Sequence, residues 1–316
     1  MVNEPPNVIK EKTAQLSVIS NAGLVCLKFV VGLSLGSVSI ISEAIHSSVD
    51  LLAAVIAFFS VRKSAEPPDA GHSFGHGKFE DISGLTEALL IFVAALLIIR
   101  EALLKLYGGV MAGFPPGLLI AGIAVMGISA AANWYVSSRL MKVAKETESI
   151  ALESDAWHLR TDVYTSLGVF AGLILIRLTG ITAFDPIFAI GVALFIIKAA
   201  FDLAKRSFSD LIDQSIPKAD VDRIAAIISG HSGQSAGFHG LKTRRSGPET
   251  FIEFHLVVPG SVSVNQSHDF ADHLEGDLKL EFPRANITIH IEPCNEGCDR
   301  CGSFCTHSEK YQMKRN

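Results

Sequence analysis

Two stretches of the chain set an imidazole four residues before a carboxylate inside an apolar run: His46-Ser-Ser-Val-Asp50 and His158-Leu-Arg-Thr-Asp162. Residues four apart share one helix face, one turn apart. Each stretch therefore offers a nitrogen ligand and a carboxylate ligand side by side. Two such helices packed face to face supply four ligands, the number a tetrahedral zinc site takes. The competing reading is local: each pair hydrogen-bonds only to hold helices together.

Ionisable groups deep in a bilayer are costly, and they face the bundle interior, where they mark ion pathways. Counted from an entry near Ser37, His46 lies about 14 Å along its helix. Counted from Ile150, entering from the other side, His158 lies about 12 Å in. The hydrocarbon core is about 30 Å thick, so both pairs come close to its middle.

The helices that must hold these pairs are visible as apolar runs. The chain of 316 residues is 49% hydrophobic and 19% charged, with a mean hydropathy of +0.37. That is too apolar for a soluble domain and points to a polytopic membrane protein. Six runs are long enough to span: Ala14–Leu35, Val38–Val61, Ile82–Leu106, Pro116–Tyr135, Ala156–Leu178 and Ala183–Phe201. The N-terminal residues lack the pattern of a cleaved signal peptide. The connections 108–115 and 179–183 carry no charge. Lys10 and Lys12, then Arg62, Lys63 and Lys78, then Arg139, Lys142 and Lys145, then Lys205 and Arg206 mark the other side. Positive residues stay inside, so both termini are expected in the cytoplasm. The net charge of −5 is small and spread out, which argues against nucleic acid as a partner.

The expected division is a six-helix membrane domain over 1–208, a soluble domain over 209–293 and a Cys-rich tail over 294–316. In the second part, Ala219–Ile228 has helical spacing, Leu241–Arg245 and Phe251–Val258 read as strands, and His239 just precedes the first of them. Val264–Phe282 is an amphipathic helix with Phe270, Leu274, Leu278 and Leu280 inward, and Ile287–Ile291 is a last strand. The fold class is thus an α-helical membrane protein followed by a small α+β domain of αββαβ order. A domain of that size gains from a metal or from dimerisation.

Further ligands cluster outside the runs. Asp69, His72 and His76 sit within eight residues of a glycine-rich loop, which suits a more exposed zinc site. His290 and Glu292 share a strand face; if their strand pairs with that of His255, three ligands converge, and His239 could join them. Cys294, Cys298, Cys301 and Cys305, with His307, suggest thiolate metal binding or a redox-active or unstructured tail.

These residues resemble the cation diffusion facilitator family in its bacterial zinc/proton antiporter branch. The resemblance rests on His46/Asp50, His158/Asp162, the Asp69-His72-His76-Gly-Lys78 loop, the run from Arg244 to His255, and Ile289-His-Ile-Glu-Pro-Cys294. It implies a transport site between the second and fifth helices, a second site on the loop, and a two-metal site at the dimer interface of the cytoplasmic domain. His239, His255, His268, His290 and Glu292 correspond to that last site. Lys78 and Asp213 resemble a pair that locks the protomers of a homodimer. Two departures stand out: His46 replaces an Asp of the prototype, which leans the choice towards zinc, and Glu292 replaces another. The tail falls outside the family pattern.

The expected activity is Zn2+ efflux against protons through a bacterial inner membrane, not catalysis. Metal and protons compete for the same deprotonated ligands. Export of Cd2+, Fe2+, Co2+ or Mn2+ and a membrane-anchored metal sensor are the alternatives. An intramembrane metalloprotease is disfavoured, because no His-Glu-x-x-His helix is present.

Overall fold

The structure is a computed structural model, and it describes residues 5–35, 38–108, 116–179, 184–231, 235 and 237–294. The chain divides into two compact units, Met1–Leu211 and Ile212–Asn316.

The first unit consists of six long helices: α1 (Pro6–Leu35), α2 (Val38–Ser64), α3 (Lys78–Gly108), α4 (Pro116–Thr147), α5 (Ile150–Thr179) and α6 (Phe184–Leu211). Each covers one of the six expected apolar runs. Most outrun them, because the polar ends continue the helix beyond the hydrophobic stretch. Among the described residues, Pro6–Ser34, Lys78–Leu104 and Pro186–Leu211 are long and apolar enough to cross a membrane by length and composition. Helices α2, α4 and α5 match these in length, at 27, 32 and 30 residues. The broadest interfaces are α3 on α6, α1 on α2 and α4 on α5, and α5 also packs on α2, α3 and α6.

Burial in this unit is inverted relative to a soluble bundle. Alanines and serines fill the interior, among them Ala44, Ala53, Ala57, Ala95, Ala151, Ser137 and Ser207. Ile19, Leu52, Phe59, Leu97, Leu194 and Phe201 face outward. Small residues let helix backbones approach closely where lipid leaves no hydrophobic drive between them. At Gly84 an added Cβ would stand 2.7 Å from Ser207 Oγ and 3.2 Å from Ile150 Cγ1, so α3 could not sit this close to α5 and α6 with a larger residue.

One buried polar knot fastens four segments at one end of the bundle. Lys10 Nζ of α1 donates to Glu80 Oε1 of α3 at 2.6 Å, with side-chain exposures of 1% and 0%. Ser64 Oγ at the end of α2 donates to the same oxygen at 2.6 Å. Ser149, which caps the start of α5, donates to Glu80 Oε2. Glu80 lies in the first turn of α3, where the helix dipole also favours an anion.

The second unit runs α7 (Lys218–Gly230), β1 (Gly237–Ser246), β2 (Glu249–Val258), α8 (Val264–Glu281) and β3 (Ala285–Pro293), the expected αββαβ order. The sheet order is β1-β2-β3, with β1 antiparallel and β3 parallel to β2. Ile252, Phe254 and Leu256 of β2 turn inward onto Ile224 and Ile228 of α7 and Phe270, Leu274 and Leu278 of α8. Strand alternation therefore sends Glu253 and His255 to the opposite face. Ser263 caps α8, its hydroxyl accepting from Gln266 N while the Gln266 side chain accepts from Ser263 N. Two expectations are corrected. His239 lies inside β1, because the strand starts at Gly237. Leu280 is 83% exposed, because Leu278 already fills the inward position of the last turn.

Glu80→Ala would leave Lys10 as a buried, unpaired charge, a loss of about 3–5 kcal/mol. The expected result is a clear drop in the thermal unfolding midpoint in detergent, with much of it recovered in a Lys10→Met/Glu80→Gln double variant. An unchanged midpoint for Glu80→Ala would contradict a stabilising knot.

Candidate metal centres

Ligand atoms about 2.0–2.1 Å from a tetrahedral zinc ion stand about 3.3 Å from one another. That spacing is the yardstick for each cluster below.

In the bundle, α2 and α5 bring Asp50 and His158 together. His158 Nε2–H donates to Asp50 Oδ1 at 3.0 Å, and the two residues are 7% and 4% exposed. Asp162, one turn beyond His158, accepts from Asn133 Nδ2 of α4 at 3.3 Å. His158 Nδ1 is buried with no hydrogen-bond partner among the described residues. The side chain of His46 lies outside the described residues. Its neighbour Ser47 is buried and accepts from Lys28 Nζ of α1 at 2.7 Å.

Three side chains near this site escaped the sequence reading. Asn133 orients the Asp162 carboxylate. Asp155 precedes His158 by three residues on α5 and is fully buried. Glu87 of α3 is equally buried, and Ser83 Oγ donates to its Oε1 at 3.2 Å. The signal for Glu87 was its place inside an apolar span. For Asp155 it was the i−3 spacing to His158.

The loop between α2 and α3 gathers Asp69, His72 and His76, with one ligand atom from each lying within 4.8 Å of the others. Asp69 Oδ1 accepts from the backbone of His72 at 2.7 Å and of Gly71 at 2.8 Å. The His72 N–H, aided by that of Gly71, holds the Asp69 carboxyl below its ordinary range. His72 Nδ1 stands 3.3 Å from Asp69 Oδ1, and His76 Nε2 stands 3.3 Å from Oδ2. Both distances match the yardstick. His76 is buried, and its Nδ1–H donates to Glu66 O at 3.3 Å, which turns the lone pair of Nε2 towards the cluster. Gly75, at φ +81, allows the chain to double back between the two histidines.

On the exposed sheet face of the second unit, strand register builds a third cluster. His239 pairs with His255 across β1 and β2, and His255 pairs with His290 across β2 and β3, so the three imidazoles form one row. Glu292 lies two residues beyond His290 on that face. Its Oε1 accepts from His255 Nδ1 at 2.7 Å and its Oε2 from His239 Nε2 at 2.9 Å, while His290 Nε2 is 3.7 Å from Oε1. The hydrogen bonds from His255 and then His239 hold the Glu292 carboxyl below its ordinary range, so its charge survives as pH falls into that range. The strand register shifts between His239 and Lys242, where Gly240 takes φ +64. A Cβ there would stand 3.2 Å from His255 Cδ2.

The other expected ligands fall elsewhere. His268 lies on α8, across the sheet from this row, and is 3.5 Å from Asp272. It does not join the cluster of its own chain, because α8 covers the opposite sheet face. Cys294 is half-buried and follows β3, its N–H donating to Val258 O at 2.7 Å. Cys298, Cys301 and Cys305 lie outside the described residues. Lys78 belongs to the first unit, where it donates to Leu211 O at 3.2 Å. Asp213 belongs to the second, where Arg244 Nη1 reaches its Oδ1 at 3.4 Å while stacking on Phe251.

Residues 14–212 match the family model described as the cation efflux transmembrane domain, and residues 216–294 match the cation efflux protein, cytoplasmic domain. A Synechocystis sp. protein bearing the name uncharacterized transporter sll1263 is 36% identical over 261 residues, covering 83% of each chain. The cation-efflux pump FieF of Pectobacterium atrosepticum is 33% identical over 261 residues, 82% of this chain and 84% of the pump. FieF of Serratia proteamaculans is 31% identical over 297 residues, 92% and 96% of the two chains. Both units carry the match, and the chain belongs to the cation diffusion facilitator family of membrane cation-efflux transporters.

Proposed function

We propose that the protein exports Zn2+ from the cytoplasm in exchange for protons, through a site formed by His46, Asp50, His158 and Asp162. The observation that carries this reading is the buried His158–Asp50 contact between α5 and α2. The same nitrogen and oxygen that share a proton are the atoms that would hold the metal. Binding of one therefore excludes the other.

Two imidazoles and two carboxylates suit zinc better than a hard cation such as Mg2+. The two aspartates offset the double charge of the ion in a medium where an unbalanced charge is costly. Protons entering from outside displace the metal, and the protonated carrier returns inward. Export of another divalent metal uses the same atoms and differs only in affinity order.

The loop ligands Asp69, His72 and His76 and the sheet ligands His239, His255, His290 and Glu292 are regulatory zinc sites in this reading. The chain forms a homodimer in the bacterial inner membrane with both termini in the cytoplasm. Zinc on the exposed sheet face, with His268 supplied from the neighbouring copy, tightens that dimer and favours the transporting state. Lys78 and Asp213 hold the protomers together.

In proteoliposomes with an internal zinc indicator, wild-type flux should depend on an imposed pH gradient. Asp50→Ala and Asp162→Ala should each abolish it while eluting as folded protein. Full zinc flux in either folded variant overturns the site, and flux of iron or manganese alone changes the substrate.

His255→Ala should weaken zinc-dependent dimerisation at least tenfold, read by sedimentation over a zinc titration. The wild-type effect should fade on acidification, because protons compete for the imidazoles. A zinc-independent dimer in both proteins would remove the regulatory role of the sheet cluster.

A further inference from the structure

A second ligand cluster lies in the Ile212–Asn316 unit on the helical layer, away from the sheet face that carries His255. It joins His231, the C-cap of α7, to His273 and Asp277 of α8. One ligand atom from each lies within 4.8 Å of the others. His231 Nε2 is 3.0 Å from Asp277 Oδ2, and His273 Nε2 is 3.8 Å from the same oxygen. These separations bracket the spacing of about 3.3 Å that a tetrahedral zinc ion imposes on its ligands. His273-Leu-Glu-Gly-Asp277 repeats the imidazole-to-carboxylate spacing of His158-Leu-Arg-Thr-Asp162, here on a helix outside the bundle.

Two further features point to a cation. His231 Nδ1–H donates to Ile227 O at 2.9 Å, which fixes the ring and turns Nε2 at Asp277. Metal-binding histidines are oriented in just this way, by a backbone carbonyl on the other ring nitrogen. With Nδ1 serving as donor, a neutral ring would set a bare lone pair against a carboxylate oxygen at 3.0 Å. A proton or a metal must stand between them, and His273 approaches the same oxygen. The C-terminal end of α7, the negative end of its dipole, adds attraction for positive charge at His231.

We propose that His231, His273 and Asp277 bind one divalent cation of the zinc class, with water completing the coordination. His231 is half-buried and His273 is exposed, so the ion enters directly from solvent. It fastens the last turn of α7 to the middle of α8 behind the sheet. The arrangement is independent of the transport site and of the sheet cluster, and its failure would leave both readings as they stand.

The test is equilibrium dialysis of the full-length protein in detergent at buffered free Zn2+. Wild type is compared with His231→Gln, His273→Gln, Asp277→Asn and the His231→Gln/His273→Gln double variant. Each single variant should lose one zinc ion per chain, and the double variant should lose no more than one. His273→Cys should regain the ion. His273 is exposed, so its replacement tests the site without disturbing the core, even if His231→Gln loosens the end of α7. Unchanged zinc content in both His273→Gln and Asp277→Asn overturns the proposal and leaves the cluster an ion pair.

Discussion

A charge inside a low-dielectric bundle has to be matched, and that requirement organises the first unit. Lys10 and Glu80 meet at 2.6 Å with both side chains out of water. Asp50 and His158 meet at 3.0 Å in the same condition. Each contact joins helices distant in sequence, so the charged residues hold the architecture that hides them. The difference lies in what surrounds each pair. Glu80 is saturated by Lys10, Ser64 and Ser149. Beside Asp50, Nδ1 of His158 keeps unused capacity, with no hydrogen-bond partner among the described residues. A saturated knot serves structure, and the open nitrogen marks the second pair as different in kind.

The second unit meets the same requirement at its surface. There, water screens the charges, and a cluster forms wherever the backbone delivers ligands to one place. Strand register does so for His239, His255 and Glu292, and the meeting of a helix end with a helix face does so for His231, His273 and Asp277. In both, two imidazoles converge on one carboxylate. The common chemistry arises from quite different local geometry.

Much of this was legible in the sequence, since helical and strand periodicities are local. The six long helices and the αββαβ order follow from spacing alone. So does the pairing of a ligand with the residue four places on. What escaped depends on contacts between distant segments. Nothing near Asn133 announces that it reaches Asp162, and Lys10 gives no sign of Glu80 in a one-dimensional reading. His239 was set before its strand because glycines at 237 and 240 weaken a strand pattern, while here they shape a bulge. His231 and His273 lie 42 residues apart, and only the fold brings both to one carboxylate oxygen.

The row His239–His255–His290 has a further consequence for how this protein can vary. The residues stand opposite one another because β1, β2 and β3 are hydrogen-bonded in one alignment. Sliding β2 by a single place would turn His255 inward and expel Phe254 or Leu256 from the core. The ligand row and the hydrophobic interior are thus two readings of the same alignment. A substitution can replace one imidazole without moving the others. The frame that lines the positions up is protected by the stability of the whole unit, so metal preference is free to evolve on a scaffold whose geometry is not.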